Sequence, residues 1–135
     1  MSFFKWEKTY AFGIEAIDKD HQMLVMIINE LYEAMESGNS KKILNDIVYR
    51  LTDYAKNHFR REEMILKSIA YHEYDSHKAE HNDFINQVVV FKQKLDSGEI
   101  AFSVEVARFL REWLKEHILS SDKKYVPEMK KFNVK

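Results

Sequence analysis

The stretch ILNDIVYRLTDYAKNHFRREEMI, Ile43 to Ile65, decides the fold. Ile43, Ile47, Leu51, Tyr54, His58, Glu62 and Ile65 recur at steps of four and three. Those steps place them on one face of an α-helix, at about 100° per residue. A helix that points His58 and Glu62 inward on the same stripe as its aliphatics does something other than fill space. The pattern predicts a long helix over 41–67, beginning after Asn39-Ser40.

Three more segments read the same way. His77, His81, Phe84, Val88, Phe91 and Leu95 form a stripe over 73–96, ending before Ser97-Gly98. Val106, Leu110, Trp113 and His117 form another over 104–121, with Ser103 as its cap. His21, Leu24, Val25, Ile28, Leu31 and Met35 form the first, over 18–37, ending at Gly38. Asp18 is expected as the N-cap of that helix, with Asp20 in its first turn favoured by the dipole. Before it lies an arm, 1–17, without a clear period. Trp6, Phe12, Ile14 and Ile17 should pack it onto the bundle.

Four amphipathic helices on short turns predict an all-α, up-down-up-down four-helix bundle with an N-terminal arm and a short C-terminal segment, one domain over 1–135. Alternating direction brings the start of the first helix level with the end of the second, the start of the third and the end of the fourth. His21, His58, Glu62, His77, His81, His117 and Asp122 therefore converge at one end. Imidazole and carboxylate are metal-ligand chemistry. Seven donors are too many for one metal and suit two, bridged by the carboxylates. A metal-free core of this kind would need an elaborate hydrogen-bond network to offset its desolvation. His72 falls in a turn and reads as a surface residue.

One spacing is awkward. His117 and Asp122 are five apart, which on a regular α-helix turns them ~140° away from each other. A π-like turn or a helix end is expected within 117–122, next to the weak helix formers Ser120 and Ser121. Pro127 should limit how far the helix continues.

Bulk numbers narrow the function classes. The chain has 135 residues, enough for one core. A net charge of −1, from 21 basic and 22 acidic residues, gives no nucleic-acid surface. No apolar run approaches the ~20 residues of a membrane span, and the first residues have no signal-peptide pattern. There is no cysteine, so disulfides, thiolate ligands and iron–sulfur clusters drop out. A cytoplasmic monomer is expected. Zincin chemistry fails because Ser76 stands where the second histidine after His72-Glu73 is needed. Ferritin-like sites fail because no histidine has a glutamate three residues before it.

Several motifs together resemble the hemerythrin family in its single-domain bacterial form. They are Trp6 in the arm, Ile17-Asp18-x-x-His21, His58-Phe59-x-x-Glu62-Glu63, His77-Lys78-x-Glu80-His81, and Trp113-Leu114-x-x-His117-Ile118-x-x-x-Asp122-x-x-Tyr125. The resemblance spans nearly the whole chain. It implies two iron ions, one held by His77, His81 and His117 and the other by His21 and His58. Glu62, Asp122 and an oxo or hydroxo group from solvent would bridge them. The iron on the His21 and His58 side would take O2. Leu24, Phe59, Trp113, Leu114 and Ile118 are expected to line the O2 pocket, with Tyr125 donating a hydrogen bond behind the ligands. The resemblance implies reversible O2 binding for carriage, storage or delivery rather than enzymatic turnover. The alternatives are a sensor of O2, redox state or iron acting through a partner, and a di-iron peroxidase or nitric oxide reductase. Tyr71-His72 departs from the family's usual Tyr-Pro turn, and Met64-Ile65-Leu66 places a methionine early; neither touches a ligand position.

Overall fold

The computed structural model describes residues 3–38, 41–97, 104–132 and 134. Asn39-Ser40, Gly98 and Ser103, expected as turn and cap residues, lie outside the described residues. Among the described residues there are five α-helices: α1 (Glu15–Glu36), α2 (Lys41–Ser68), α3 (Tyr74–Asp96), α4 (Val104–Glu116) and α5 (Lys123–Lys131). A π-helical turn, His117–Asp122, joins α4 to α5 without interruption. There is no strand among the described residues.

The helices close into a ring. α1 packs against α2 and α4, and α2 against α3. The seam between α3 and α4 is aromatic, with Phe84 on Trp113 (4.4 Å between centroids) and Phe91 on Phe109 (5.4 Å). Leu31, Leu51, Leu66, Leu110 and Ile118 are among the fully buried side chains. Within α2 the buried face also takes in Leu44, Val48, Ala55, Phe59 and Leu66, so its centre lies about one residue beyond the expected stripe. Ile43 is correspondingly turned out and 45% exposed. No helix among the described residues is long and apolar enough to cross a membrane.

The arm packs as expected, through Phe12, Ile14 and Ile17, and also through Phe4 and Tyr10. Asn29 of α1 fixes it by a reciprocal pair: the Phe4 N–H donates to Asn29 Oδ1 (2.6 Å) and Asn29 Nδ2 donates to the Phe4 carbonyl (2.8 Å).

Two boundaries differ from expectation. α1 begins at Glu15, so Asp18 is not an N-cap; Ile14 holds that position without a side-chain bond. Asp18 instead reaches back and accepts the N–H groups of Phe12 (2.8 Å) and Gly13 (3.0 Å), tying the arm's bend to the helix. The helix is longer because Ile14 and Ile17, buried at 0% and 1%, draw the extra turn into the core. At the other end the chain stays helical beyond 121 and through Pro127 to Lys131. Proline removes one i→i−4 donor there. Tyr125 and Met129, each 0% exposed, flank it, and their burial outweighs the lost bond.

α2 ends in a Schellman arrangement: the Tyr71 N–H reaches the Leu66 carbonyl (3.0 Å) and the Ala70 N–H reaches that of Lys67 (3.1 Å). Ala70 occupies the left-handed position, φ 53°, that glycine usually takes. His72 beyond it is exposed, as read from the sequence.

Candidate metal centre

All seven expected donors meet at one end of the bundle, and all are buried, between 0% and 4% exposed. Each helix supplies its share from a regular stretch except the last. His117 and Asp122 open and close the π turn, in which the Lys123 N–H bonds the Ile118 carbonyl five residues back. The wider turn brings both side chains to the core, which five residues of α-helix would not do.

The two carboxylates divide their oxygens. Glu62 Oε1 lies 2.5 Å from His77 Nε2 and 3.2 Å from His81 Nε2, while Oε2 lies 3.1 Å from His58 Nε2. Asp122 Oδ1 lies 3.0 Å from both His77 Nε2 and His117 Nε2, while Oδ2 lies 3.1 Å from His21 Nε2. Donor atoms fall into two overlapping groups, Glu62, His77, His81, His117 and Asp122 in one, and His21, His58 and Glu62 in the other. Each carboxylate thus faces both halves.

Several of these atoms make poor hydrogen bonds despite their distances. Both oxygens of Asp122 and both ring nitrogens of His21 are buried without a properly directed partner. His81 Nε2 and His117 Nε2 face each other at 3.0 Å. Their Nδ1 atoms point to carboxylates, Glu63 (2.8 Å) and Glu80 (3.1 Å), which places a proton on each Nδ1 and turns the two Nε2 atoms toward each other. Donor atoms that converge on one point this closely call for a cation between them, a proton or a metal ion. The donor set of nitrogen and carboxylate oxygen without thiolate fits iron.

The charges agree. Burial pulls the His58 pKa down, but hydrogen bonds to Asp20 and Glu62 outweigh it and raise it to about 9. His77 is likewise raised to about 9 against burial, by Asp122 and Glu62. His117 rises to about 10 against burial, through Asp122 and Glu80. Glu62 is held well below the usual carboxylate range, where burial is overcome by His58, His77 and His81. The cluster therefore binds positive charge avidly, and a metal ion would take the place of those protons.

Behind the donors stand three acids whose role the sequence reading missed. Asp20, 4% exposed, accepts from His58 Nδ1 (2.9 Å), Tyr54 Oη (2.9 Å) and the Arg61 guanidinium. It is not a solvent-facing first-turn acid. Glu63 and Glu80 back His81 and His117, and Ser121 Oγ donates to Glu80 (2.6 Å). Each acid is the sequence neighbour of a donor, in Asp20-His21, Glu62-Glu63 and Glu80-His81. One residue turns a helix by ~100°, which aims each acid at the next helix rather than at its own neighbour. Tyr125, 0% exposed, donates to Glu62 Oε2 (3.1 Å), as expected of a residue behind the donors. Burial and the adjacent Asp122 and Glu62 push its phenol pKa well up, so it stays a donor.

Leu24, Phe59, Leu114 and Ile118 are all buried, each within three residues of a donor along the chain, and Trp113 is half-buried. Phe59 stacks on His81 (3.9 Å, 5° between planes) and Trp113 on His117 (4.6 Å, 16°). These two rings therefore clamp the imidazoles of the larger donor group.

A helix bundle with histidine and carboxylate donors at one end defines a class, and comparison with known proteins gives the family. The Hemerythrin HHE cation binding domain matches residues 13–129. A bacteriohemerythrin of Clostridium acetobutylicum is 37% identical over 128 residues, 91% of this chain and 98% of that protein. A myohemerythrin of Theromyzon tessulatum is 28% identical over 122 residues, 90% of each chain. The crystal structure of wild-type hemerythrin superposes with a TM-score of 0.88 at 27% identity, covering 93% of this chain and 97% of that one. The chain belongs to the hemerythrin family, the O2-binding proteins with a di-iron site.

Proposed function

We propose that this chain holds two iron ions and uses them to bind O2 reversibly, for carriage, storage or delivery. The single observation that supports it is the split of Glu62 and Asp122, each giving one oxygen to each half of the donor cluster. In this reading His77, His81 and His117 hold one iron, His21 and His58 hold the other, and the two carboxylates bridge. The iron pair supplies the electrons that O2 binding requires. The protein's own part is to fix the donors, exclude water and place one proton donor. Leu24, Phe59, Trp113, Leu114 and Ile118 form the apolar wall, which slows water entry and so preserves reversibility. Tyr125, a phenol held protonated beside Glu62, keeps that carboxylate ionised and oriented.

Every buried carboxylate and imidazole among the described residues belongs to the donor network, which favours binding over turnover. A cytoplasmic monomer is the proposed setting, in keeping with balanced charge and no cysteine. Metal analysis combined with O2 cycling tests the reading. Two irons per chain and an absorption spectrum that appears with O2 and disappears on deoxygenation are expected. One metal or none in fully loaded protein, or a spectrum that never reverts, overturns it.

A further inference from the structure

We infer that the two halves of the donor cluster fill in order, the His77, His81 and His117 half first, and that the acids behind the histidines set this order. The inference rests on the two-metal reading above and goes further, to how the site is assembled.

The halves are unequal in two independent ways. Five donors converge in the first group and three in the second, with Glu62 common to both. The backing is unequal too. A carboxylate on the far nitrogen fixes an imidazole's tautomer and ring plane and raises its basicity. The backing runs around the bundle from each helix to the next: Asp20 of α1 backs His58 of α2, Glu63 of α2 backs His81 of α3, and Glu80 of α3 backs His117 of the π turn. The circuit stops there. His21 has no acid behind it; its Nδ1 is buried without a partner, with the Phe12 ring edge-on at 5.7 Å. The first half therefore has two of its three imidazoles backed, with His77 bonded to acids only at Nε2, and the second has one backed and one unbacked.

Asp20 also backs less strongly than its position suggests. Its charge is shared with the Arg61 guanidinium and the Tyr54 hydroxyl as well as with His58. Glu63 and Glu80 share theirs with no cationic side chain other than the histidine in the hydrogen bonds the structure shows. His81 and His117 are thus preset, with Nδ1 held by an acid and Nε2 already aimed inward. In the second half His21 must settle its tautomer as a cation arrives. Once Glu62 Oε1 and Asp122 Oδ1 are engaged in the first half, Oε2 and Oδ2 are left aimed at the second, which completes that site only then.

Anaerobic titration of the metal-free protein with Co2+, followed by native mass spectrometry and visible absorption, tests this. A one-metal species should dominate below one equivalent, and a two-metal species should follow with weaker affinity. Glu63→Gln and Glu80→Gln should weaken the first step by about 10–100-fold, and Asp20→Asn only the second, by a similar factor. Glu80→Ala should weaken the first step more than Glu80→Gln, because the carboxamide still accepts the Nδ1–H. Circular dichroism of the metal-free variants confirms that each folds, and a purely structural role for these acids would not select one step. Two metals entering in a single step with no one-metal species overturns the filling order alone. Asp20→Asn weakening the first step overturns the role given to the acids. Saturation at one metal or none overturns the two-metal reading as well.

Discussion

The two ends of this bundle are built on opposite principles. Toward one end Leu31, Ala34, Leu44, Ile47, Val48 and Leu51 meet with no polar side chain among them. Toward the other, five imidazoles and three carboxylates are buried in the same scaffold. The first end stabilises the fold by removing roughly 25 cal/mol per Å2 of apolar surface from water. The second adds nothing by that route, since burying ionised groups costs free energy that their close pairing has to offset. The difference teaches that the apolar end carries the fold while the polar end carries affinity, and that a cation reconciles them.

The largest effect that would break this division is at the shared carboxylate. Glu62→Ala should drop bound metal below one per chain, measured by elemental analysis, and should abolish the rise in thermal midpoint that metal loading gives the unaltered protein. At the other end Leu51→Ala should cost about 2–5 kcal/mol of stability by denaturant unfolding. Metal content per folded molecule should stay unchanged. If Leu51→Ala also empties the site, the ends are not separable.

Leu114→Ala lies between the two regimes. In the proposed pocket it would open the apolar wall, and the iron-loaded protein should then lose O2-binding competence faster in air than the unaltered chain. Equal lifetimes would remove Leu114 from the pocket.

Acidity separates the ends more gently. His58, His77 and His117 have pKa values raised from 6.5 to about 9, 9 and 10. A raised pKa contributes stability that is complete below the unfolded value and is lost as pH rises through the folded one. The metal-free protein should therefore weaken as pH climbs from neutral through about 10. Asp20, lowered to about 2 as His58, Tyr54 and Arg61 overcome burial, and Glu80, lowered to about 2 chiefly by His117, work in the opposite sense. Their contribution is present above the usual carboxylate range and is lost as pH falls through about 2. In metal-loaded protein the alkaline loss should vanish, because the metal replaces the protons. Thermal melts of both forms across pH check this.

The smallest expected effect sharpens the comparison from outside both ends. Ala70 holds a left-handed backbone at φ 53°. Ala70→Gly should stabilise the protein by about 1 kcal/mol, less the entropy glycine restores to the unfolded chain. Metal affinity should not change.

Much of this was legible in the sequence because helix periodicity is a strong signal. His58 and Glu62 on the stripe of Ile47 and Leu51 gave away both a helix and its buried donors. The five-residue gap from His117 to Asp122 announced a π turn or a helix end, and the structure takes the π turn. The acids were harder to read. Asp20 looks like any acid near a helix start, and only the placement of α2 shows that it points at His58. Glu63 and Glu80 sit one position off a buried stripe, where an exposed charge is the ordinary expectation. Asp18 was misread as a cap because the pull of Ile14 and Ile17 on one more turn is a tertiary effect. Pro127 was misread as a stop because the burial of Tyr125 and Met129 is one as well.

The π turn at His117–Asp122 has a mechanical meaning besides its geometric one. A ring closed five residues back is looser than the ladder on either side of it, and it would relax to the regular form if nothing restrained it. Its two terminal side chains are the restraint, since both point into the donor cluster. The backbone there is in effect a strain gauge. Its amide hydrogens should exchange with solvent at a rate set by whether His117 and Asp122 are held, so the state of a buried centre is readable from one short stretch of main chain.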